Sequence, residues 1–263
     1  MPLPYGEAFS FLYAKFYKIF LTEGFVCGII NLCNNIIRKE VENGEIMKVT
    51  IEQIVNNETV RSYIKKADES LLAMGYTEHS FAHVTKVSRL AKDILLALGH
   101  SEREAELAQI AGYLHDIGNV INRIDHAQSG AIMAFRILDK MDADPEEVAT
   151  IITAIGNHDE HTAFPVNAVA AALILADKTD VRENRVRKVY EKLDIHDRVN
   201  YSVKRSEVRV EGDVIILDLD IDTSVCPVMD YFEIFINRMK LCRLAAEKLG
   251  CSFVLIINGQ RMI

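Results

Sequence analysis

From Met47 onward, apolar residues recur every three to four positions, the spacing that lines one face of an α-helix. Val60, Ile64, Ala67, Leu71 and Leu72 trace one stripe that stops at Gly75. Phe81, Val84, Val87, Leu90, Ala91, Ile94, Leu95 and Leu98 trace a second, closed by Gly99. Start signals agree with these stripes. Thr50 and Gln53 have capping-box spacing, and Ser101-Glu102-Arg103-Glu104 opens the stretch through Leu107, Ile110, Ala111 and Leu114. Asp125 opens a helix carrying His126, Gly130, Ala134, Ile137 and Leu138. Asp144-Pro145-Glu146-Glu147, with proline at the first helical position and acids in the first turn, opens another that ends near His158. Asn167 starts Ala168–Ala176, which is apolar all round and therefore central.

After about residue 200 the hydrophobic period shortens to two residues, the period of a strand. Glu207–Val210 and Val214–Ile221 flank Glu211-Gly212-Asp213 and predict a hairpin. A long helix follows, with Pro227 near its start and Gly250 after its end, and Ser252–Ile257 reads as a third strand. The alternating Asp218, Asp220 and Asp222 read as the solvated face of an edge strand. The fold class is mainly α: a helical bundle over residues 47–200, then a small C-terminal ββαβ element over 201–263 that docks on it. Residues 1–46 differ from the rest. Phe9, Phe11, Tyr13, Phe16, Tyr17 and Phe20 crowd one segment, either an amphipathic helix for a membrane or a partner, or a helix packed on the main domain. A third expectation is that translation begins at Met47, since Gly44-Glu45 can be encoded by a purine-rich ribosome-loading sequence.

Composition narrows the function more than the fold. A net charge of −8 leaves no basic surplus to neutralise a nucleic-acid backbone, which counts against a dedicated nucleic-acid binder. Five cysteines (27, 33, 226, 242, 251) lack CxxC spacing and read as reduced packing residues, placing the protein in the cytoplasm. The most apolar stretch, Ala8 to Cys33, is interrupted by Lys15, Lys18 and Glu23, so no transmembrane segment is expected. Homo-oligomerisation stays open.

Chemistry concentrates in one third of the chain. Seven of the eight histidines (79, 83, 100, 115, 126, 158, 161) fall there, around Leu114-His115-Asp116-Ile117-Gly118 and ahead of Leu175-Ala176-Asp177-Lys178. Imidazole and carboxylate without thiolate suit Mn, Fe, Co, Ni, Zn or Mg. His79 and His83 are four apart and read as sharing a helix face. His158 and His161 are three apart at a helix end and read as able to converge. A single histidine on an apolar helix is more often a hydrogen-bonded core residue than a ligand. The joint pattern, with several His and Asp at helix ends flanked by apolar residues, would be costly to bury without a cation.

His83, His115-Asp116 and Asp177, in the order H…HD…D, resemble the HD-domain superfamily of metal-dependent phosphohydrolases, over roughly residues 77–190. The addition of His126 and His158 is similar to the longer pattern of the ribonuclease Y-like and HD-GYP branches, without the G-Y-P sequence. The resemblance implies a first divalent metal on His83, His115, Asp116 and Asp177. It implies a second on His126 and His158 bridged by Asp116, with His79 and His161 as further ligand candidates. Two cations about 3.5–4 Å apart would activate a water for in-line attack on phosphorus, with His115 and Asp116 as the catalytic pair. Two positions depart from the pattern: Asn119 stands where the branch has lysine, and Asp159 where it has a second histidine. Lys178, Arg182, Asn119 and Asp159 are the candidate substrate-binding residues. The expected activity is hydrolysis of a small phosphate mono- or diester, with a nucleotide the expected substrate. The alternatives are an HD-fold diiron oxygenase and a non-catalytic regulatory module that binds metal or nucleotide.

Overall fold

The computed structural model describes residues 48–263; the readings of the aromatic segment and of a start at Met47 lie outside the described residues. Nine α-helices and a four-stranded sheet follow one another among them. These are α1 (Ile51–Val55), α2 (Glu58–Ala73), α3 (Phe81–Ala97), α4 (Glu102–Leu114), α5 (His126–Asp139), α6 (Pro145–Gly156), α7 (Ala168–Lys178), α8 (Ile195–Ser202), β1 (Val203–Glu211), β2 (Val214–Ile221), α9 (Val228–Lys248), β3 (Ser252–Ile257) and β4 (Gln260–Arg261). The announced caps form, except that Asp125 precedes α5 in a left-handed conformation without a side-chain bond. Thr50 and Gln53 exchange capping-box bonds, Ser101 accepts from Glu104 N, and Asp144 accepts from Glu146 N and Glu147 N. Each such cap is worth about 1 kcal/mol.

Helix α7 is the axis of the bundle. Every residue from Val169 to Ala176 is buried, and the helix packs against α3, α4, α6 and α9. Its leucines and isoleucine contribute roughly 1.5–3 kcal/mol each by leaving water. Helices α3 and α4 cross closely at Gly112, where a Cβ would stand 2.8 Å from Ser88 Cα. That approach puts the start of α3 beside the end of α4.

The sheet has the order β1-β2-β3-β4. The β1–β2 hairpin turns at Gly212, with a φ of +62°. Strands β2 and β3 pair in parallel and β3–β4 antiparallel, so a short fourth strand extends the expected ββαβ element. Strand β2 is interior to the sheet, which corrects the edge-strand reading of its aspartates. Asp218 and Asp220 do lie on the outer face, where Arg205 and Arg209 pair with them, while Ile215, Leu217 and Leu219 are buried on the other. Helix α9 packs on both α7 and β3 and thereby ties the sheet to the bundle. Cys226, Cys242 and Cys251 are buried free thiols. Among the described residues no helix is long and apolar enough to cross a membrane.

Candidate metal centre

Five helices deliver one side chain cluster. His83 lies in the first turn of α3, and His115 and Asp116 directly follow α4. His126 is the first residue of α5, His158 follows α6, and Asp177 is the penultimate residue of α7. Helix ends bring side chains to a point without burying a helix flank there. The Gly118 backbone makes this possible: a Cβ at that position would overlap His126 O and Gly130 N. Only glycine lets the short 3-10 turn Ile117–Val120 touch the start of α5, which carries His126 up to Asp116.

His83 Nε2 stands 3.3 Å from His115 Nε2, 3.5 Å from Asp116 Oδ2 and 3.4 Å from Asp177 Oδ1. His115 Nε2 is 3.3 Å from Asp116 Oδ2 and 3.7 Å from Asp177 Oδ1. Ligand atoms about 2.0–2.2 Å from one cation sit roughly 3.0–3.5 Å from each other, so His83, His115 and Asp177 are spaced as ligands of one cation, and His115, Asp116 and His158 form a second group with such spacing. His126 adjoins the second group. His126 Nε2 lies 3.2 Å from His158 Nε2 and 3.7 Å from Asp116 Oδ1, and the His115 and His158 ring centroids are 5.0 Å apart. Asp116 thus turns one oxygen to each group.

The rings are held in the matching tautomer. Nδ1 of His115, His126 and His158 donates to the carbonyls of Gly112, Arg123 and Ile155 at 2.8, 3.0 and 2.6 Å. Nδ1 of His83 donates to the Asp180 carboxylate at 2.8 Å. With Nδ1 committed in this way, Nε2 is the nitrogen that each ring turns toward the cluster. Asp116 Oδ2 is buried with no hydrogen-bond partner, a costly state for a carboxylate oxygen unless a cation meets it. The donor set, its spacing and this orphaned oxygen fit a divalent metal.

Electrostatics point the same way. Burial opposes a charge on His115, but Asp116 and Asp177 outweigh it and raise its pKa to about 10. Burial would raise the carboxylates, yet His115 and Lys178 beside them hold Asp116 and Asp177 well below the usual range. Burial pushes His158 and His79 well down. The cluster therefore keeps its carboxylates ionised and attracts positive charge.

The other expected residues stand as follows. His79 precedes α3, because Ser80 is the cap. It does not share a helix face with His83, although the two rings approach to 5.4 Å. His161 is exposed on the loop after α6 and does not converge with His158 on the metal-spaced groups. His79, His161, Asp159 and Lys178 line a cavity of about 920 Å³ over the cluster. Lys178 Nζ donates to Asp177 Oδ2 at 2.7 Å. Asn119 is buried, and its Nδ2 donates to Asp116 Oδ1 at 2.8 Å. Arg182 lies behind His83, donating to Asp180 at 2.9 Å and to Glu78 at 3.1 Å, away from the cavity wall. Sequence reasoning missed Asp180. It sits three residues past Asp177 with a buried carboxylate that gathers Lys86, Arg182 and Arg185 around the back of His83. The one signal for it was its place in the turn after Ala176-Asp177-Lys178.

Residues 80–192 match the family model of the HD domain, a family of metal-dependent hydrolases that is in general phosphohydrolytic. The chain is also similar to the uncharacterized protein MJ1020 of Methanocaldococcus jannaschii, with 26% identity over 195 residues, covering 64% of this chain and 73% of that protein. The matched segment runs from the Ser80 cap of α3 to residue 192, beyond the end of α7, and so contains every ligand-type residue of the cluster; over this part of the chain the protein is similar to the HD-domain family.

Proposed function

We propose that the protein is a metal-dependent phosphohydrolase that cleaves a small phosphate mono- or diester, with a nucleotide as the expected substrate. One observation supports this above the rest: the Asp116 carboxylate faces two adjoining histidine groups and has a buried, unpartnered Oδ2. In this reading His83, His115, Asp116 and Asp177 hold one divalent cation, and His126 and His158 share Asp116 to hold a second. Such cations supply Lewis acidity toward phosphoryl oxygens and make a water nucleophilic near neutral pH.

The protein's own groups do the rest. Carbonyls of Gly112, Arg123 and Ile155 and the Asp180 carboxylate fix the imidazoles, as the Nδ1 bonds show. Asn119 and Lys178 hold Asp116 and Asp177 in place. We assign these two to orienting carboxylates, and Asp159 and His161 to the cavity wall where the alcohol side of the ester would lie. A cavity of about 920 Å³ exceeds what a lone phosphate needs and accommodates a nucleotide.

The test is a hydrolysis panel with added Mn²⁺, comparing p-nitrophenyl phosphate, bis-p-nitrophenyl phosphate, and nucleoside mono-, di- and cyclic phosphates. A kcat/KM at least tenfold higher for a nucleotide than for the generic esters supports the reading. Generic esters preferred throughout would remove the nucleotide. No turnover by metal-loaded protein would remove the hydrolase.

A further inference from the structure

The cavity wall carries several cations, and nearly all are neutralised. Lys178 is tied to Asp177, Lys188 to Asp194 and Asp197 at 2.8 and 2.6 Å, and Arg238 to Glu160. Arg185 spends Nε and both terminal nitrogens on Glu78 O and Asp180 O, with the Asp180 carboxylate 3.6 Å away. Arg123 differs. Among the described residues it is the one arginine or lysine lining the cavity that has no carboxylate within ion-pair distance. Its partners are uncharged: Nη1 donates to Asn119 Oδ1 at 3.2 Å, and its guanidinium carbon lies 5.6 Å from the Tyr76 ring centroid. An amide and an aromatic face hold a guanidinium in position without cancelling its charge. One N–H of five is spent, which leaves the others for a ligand.

Its position relative to the cluster is fixed on both sides. Asn119 receives Arg123 and passes Nδ2 to Asp116 Oδ1 at 2.8 Å, so the guanidinium is two hydrogen bonds from the Asp116 carboxylate. The Arg123 carbonyl accepts from His126 Nδ1 at 3.0 Å, which anchors the backbone of the same residue to the second histidine group. A planar fork of N–H donors at this distance from the ligand atoms matches the non-bridging oxygens of a phosphoryl group.

We propose that Arg123 is the phosphate-binding cation of this site, held ready by Asn119 and Tyr76 and engaging the phosphoryl oxygens of the ester. This rests on the hydrolase reading and adds to it the residue that recognises the reacting group. Lys178 and Arg182, the cations nearest Asp177 in sequence, are occupied with carboxylates. The free guanidinium comes instead from the loop before α5.

The experiment is isothermal titration of inorganic phosphate into Mn²⁺-loaded wild type, Arg123→Gln and Arg123→Lys, with bound Mn²⁺ and thermal midpoint measured on each. The expected result is unchanged Mn²⁺ stoichiometry, at least tenfold weaker phosphate binding in Arg123→Gln, and partial recovery in Arg123→Lys, which keeps the charge but loses the fork. Wild-type phosphate affinity in Arg123→Gln would overturn the proposal and leave the hydrolase reading standing. Loss of Mn²⁺ along with phosphate would make Arg123 a support of the metal cluster and also overturn it. No phosphate binding by a metal-loaded wild type that still turns over esters would overturn the proposal alone, and no binding together with no turnover would overturn both.

Discussion

Asn119 Nδ2 donates to Asp116 Oδ1 at 2.8 Å and to the Asp116 carbonyl at 3.0 Å, which pins the carboxylate so that Oδ2 faces His83 and His115. The bond connects a backbone turn to the orientation of a carboxylate that faces both histidine groups. Asn119→Ala removes it from a buried site, and groups that orient metal ligands are typically worth 10–100-fold in affinity. Mn²⁺ titration of this variant should give at least tenfold weaker binding with the fold intact. Wild-type affinity would mean that Asp116 is held by its backbone alone.

Asp180 does for His83 what carbonyls do for the other rings, and it also neutralises cations behind the site. Asp180→Asn leaves Lys86, Arg182 and Arg185 short of a buried counter-charge, a loss on the order of 3 kcal/mol. Urea unfolding should register that loss, and the Mn²⁺ affinity of the variant should fall about tenfold or more. A variant as stable as wild type would contradict the role given to Asp180.

Gly118 is the contact point of the 3-10 turn and α5. Gly118→Ala places a methyl where His126 O and Gly130 N already stand, so the turn must move away. A destabilisation of about 1–3 kcal/mol or more is expected, together with loss of the second histidine group from the cluster. Unfolding midpoints and Mn²⁺ stoichiometry measure the two effects separately.

His115 sets a pH dependence. Burial opposes its charge, but Asp116 and Asp177 prevail and bring its pKa to about 10, above the roughly 6.5 of an unfolded chain. A raised folded pKa gives stability that is complete below the unfolded value and is lost as pH climbs through the folded one. Metal-free protein should therefore lose stability between about pH 6.5 and 10. Metal binding must displace that proton, so Mn²⁺ titration near pH 8 should release close to one proton and tighten as pH rises. Calorimetry in two buffers of different ionisation enthalpy counts the protons, and zero release would contradict the assignment.

Much of this site is legible in the sequence because helix ends announce themselves. Ser101, Asp125, Asp144 and Asn167 mark where helices start, and His115-Asp116, His126, His158 and Asp177 lie within two residues of helix boundaries. What was not legible depends on tertiary contact. Asp180 acquires its role only when α3 folds back across α7, at a sequence separation of 97 from His83. His79 was placed on α3 by periodicity, but the Ser80 side chain caps the helix one residue later. Arg123 carries no signal of its own, since nothing in the sequence shows which cations will find carboxylates. The interior place of β2 came from the parallel pairing with β3, a contact made across the whole of α9.

The most direct test of metal-dependent phosphohydrolysis at this cluster is the Mn²⁺-dependent rate of phosphoester hydrolysis by wild type and Asp116→Ala, with bound metal measured on both. Turnover by the wild type should disappear on chelation and fall at least about 10³-fold in the variant. Hydrolysis that survives in Asp116→Ala would place the reaction elsewhere in the molecule. A wild type that binds metal stoichiometrically and hydrolyses none of the esters would contradict the account.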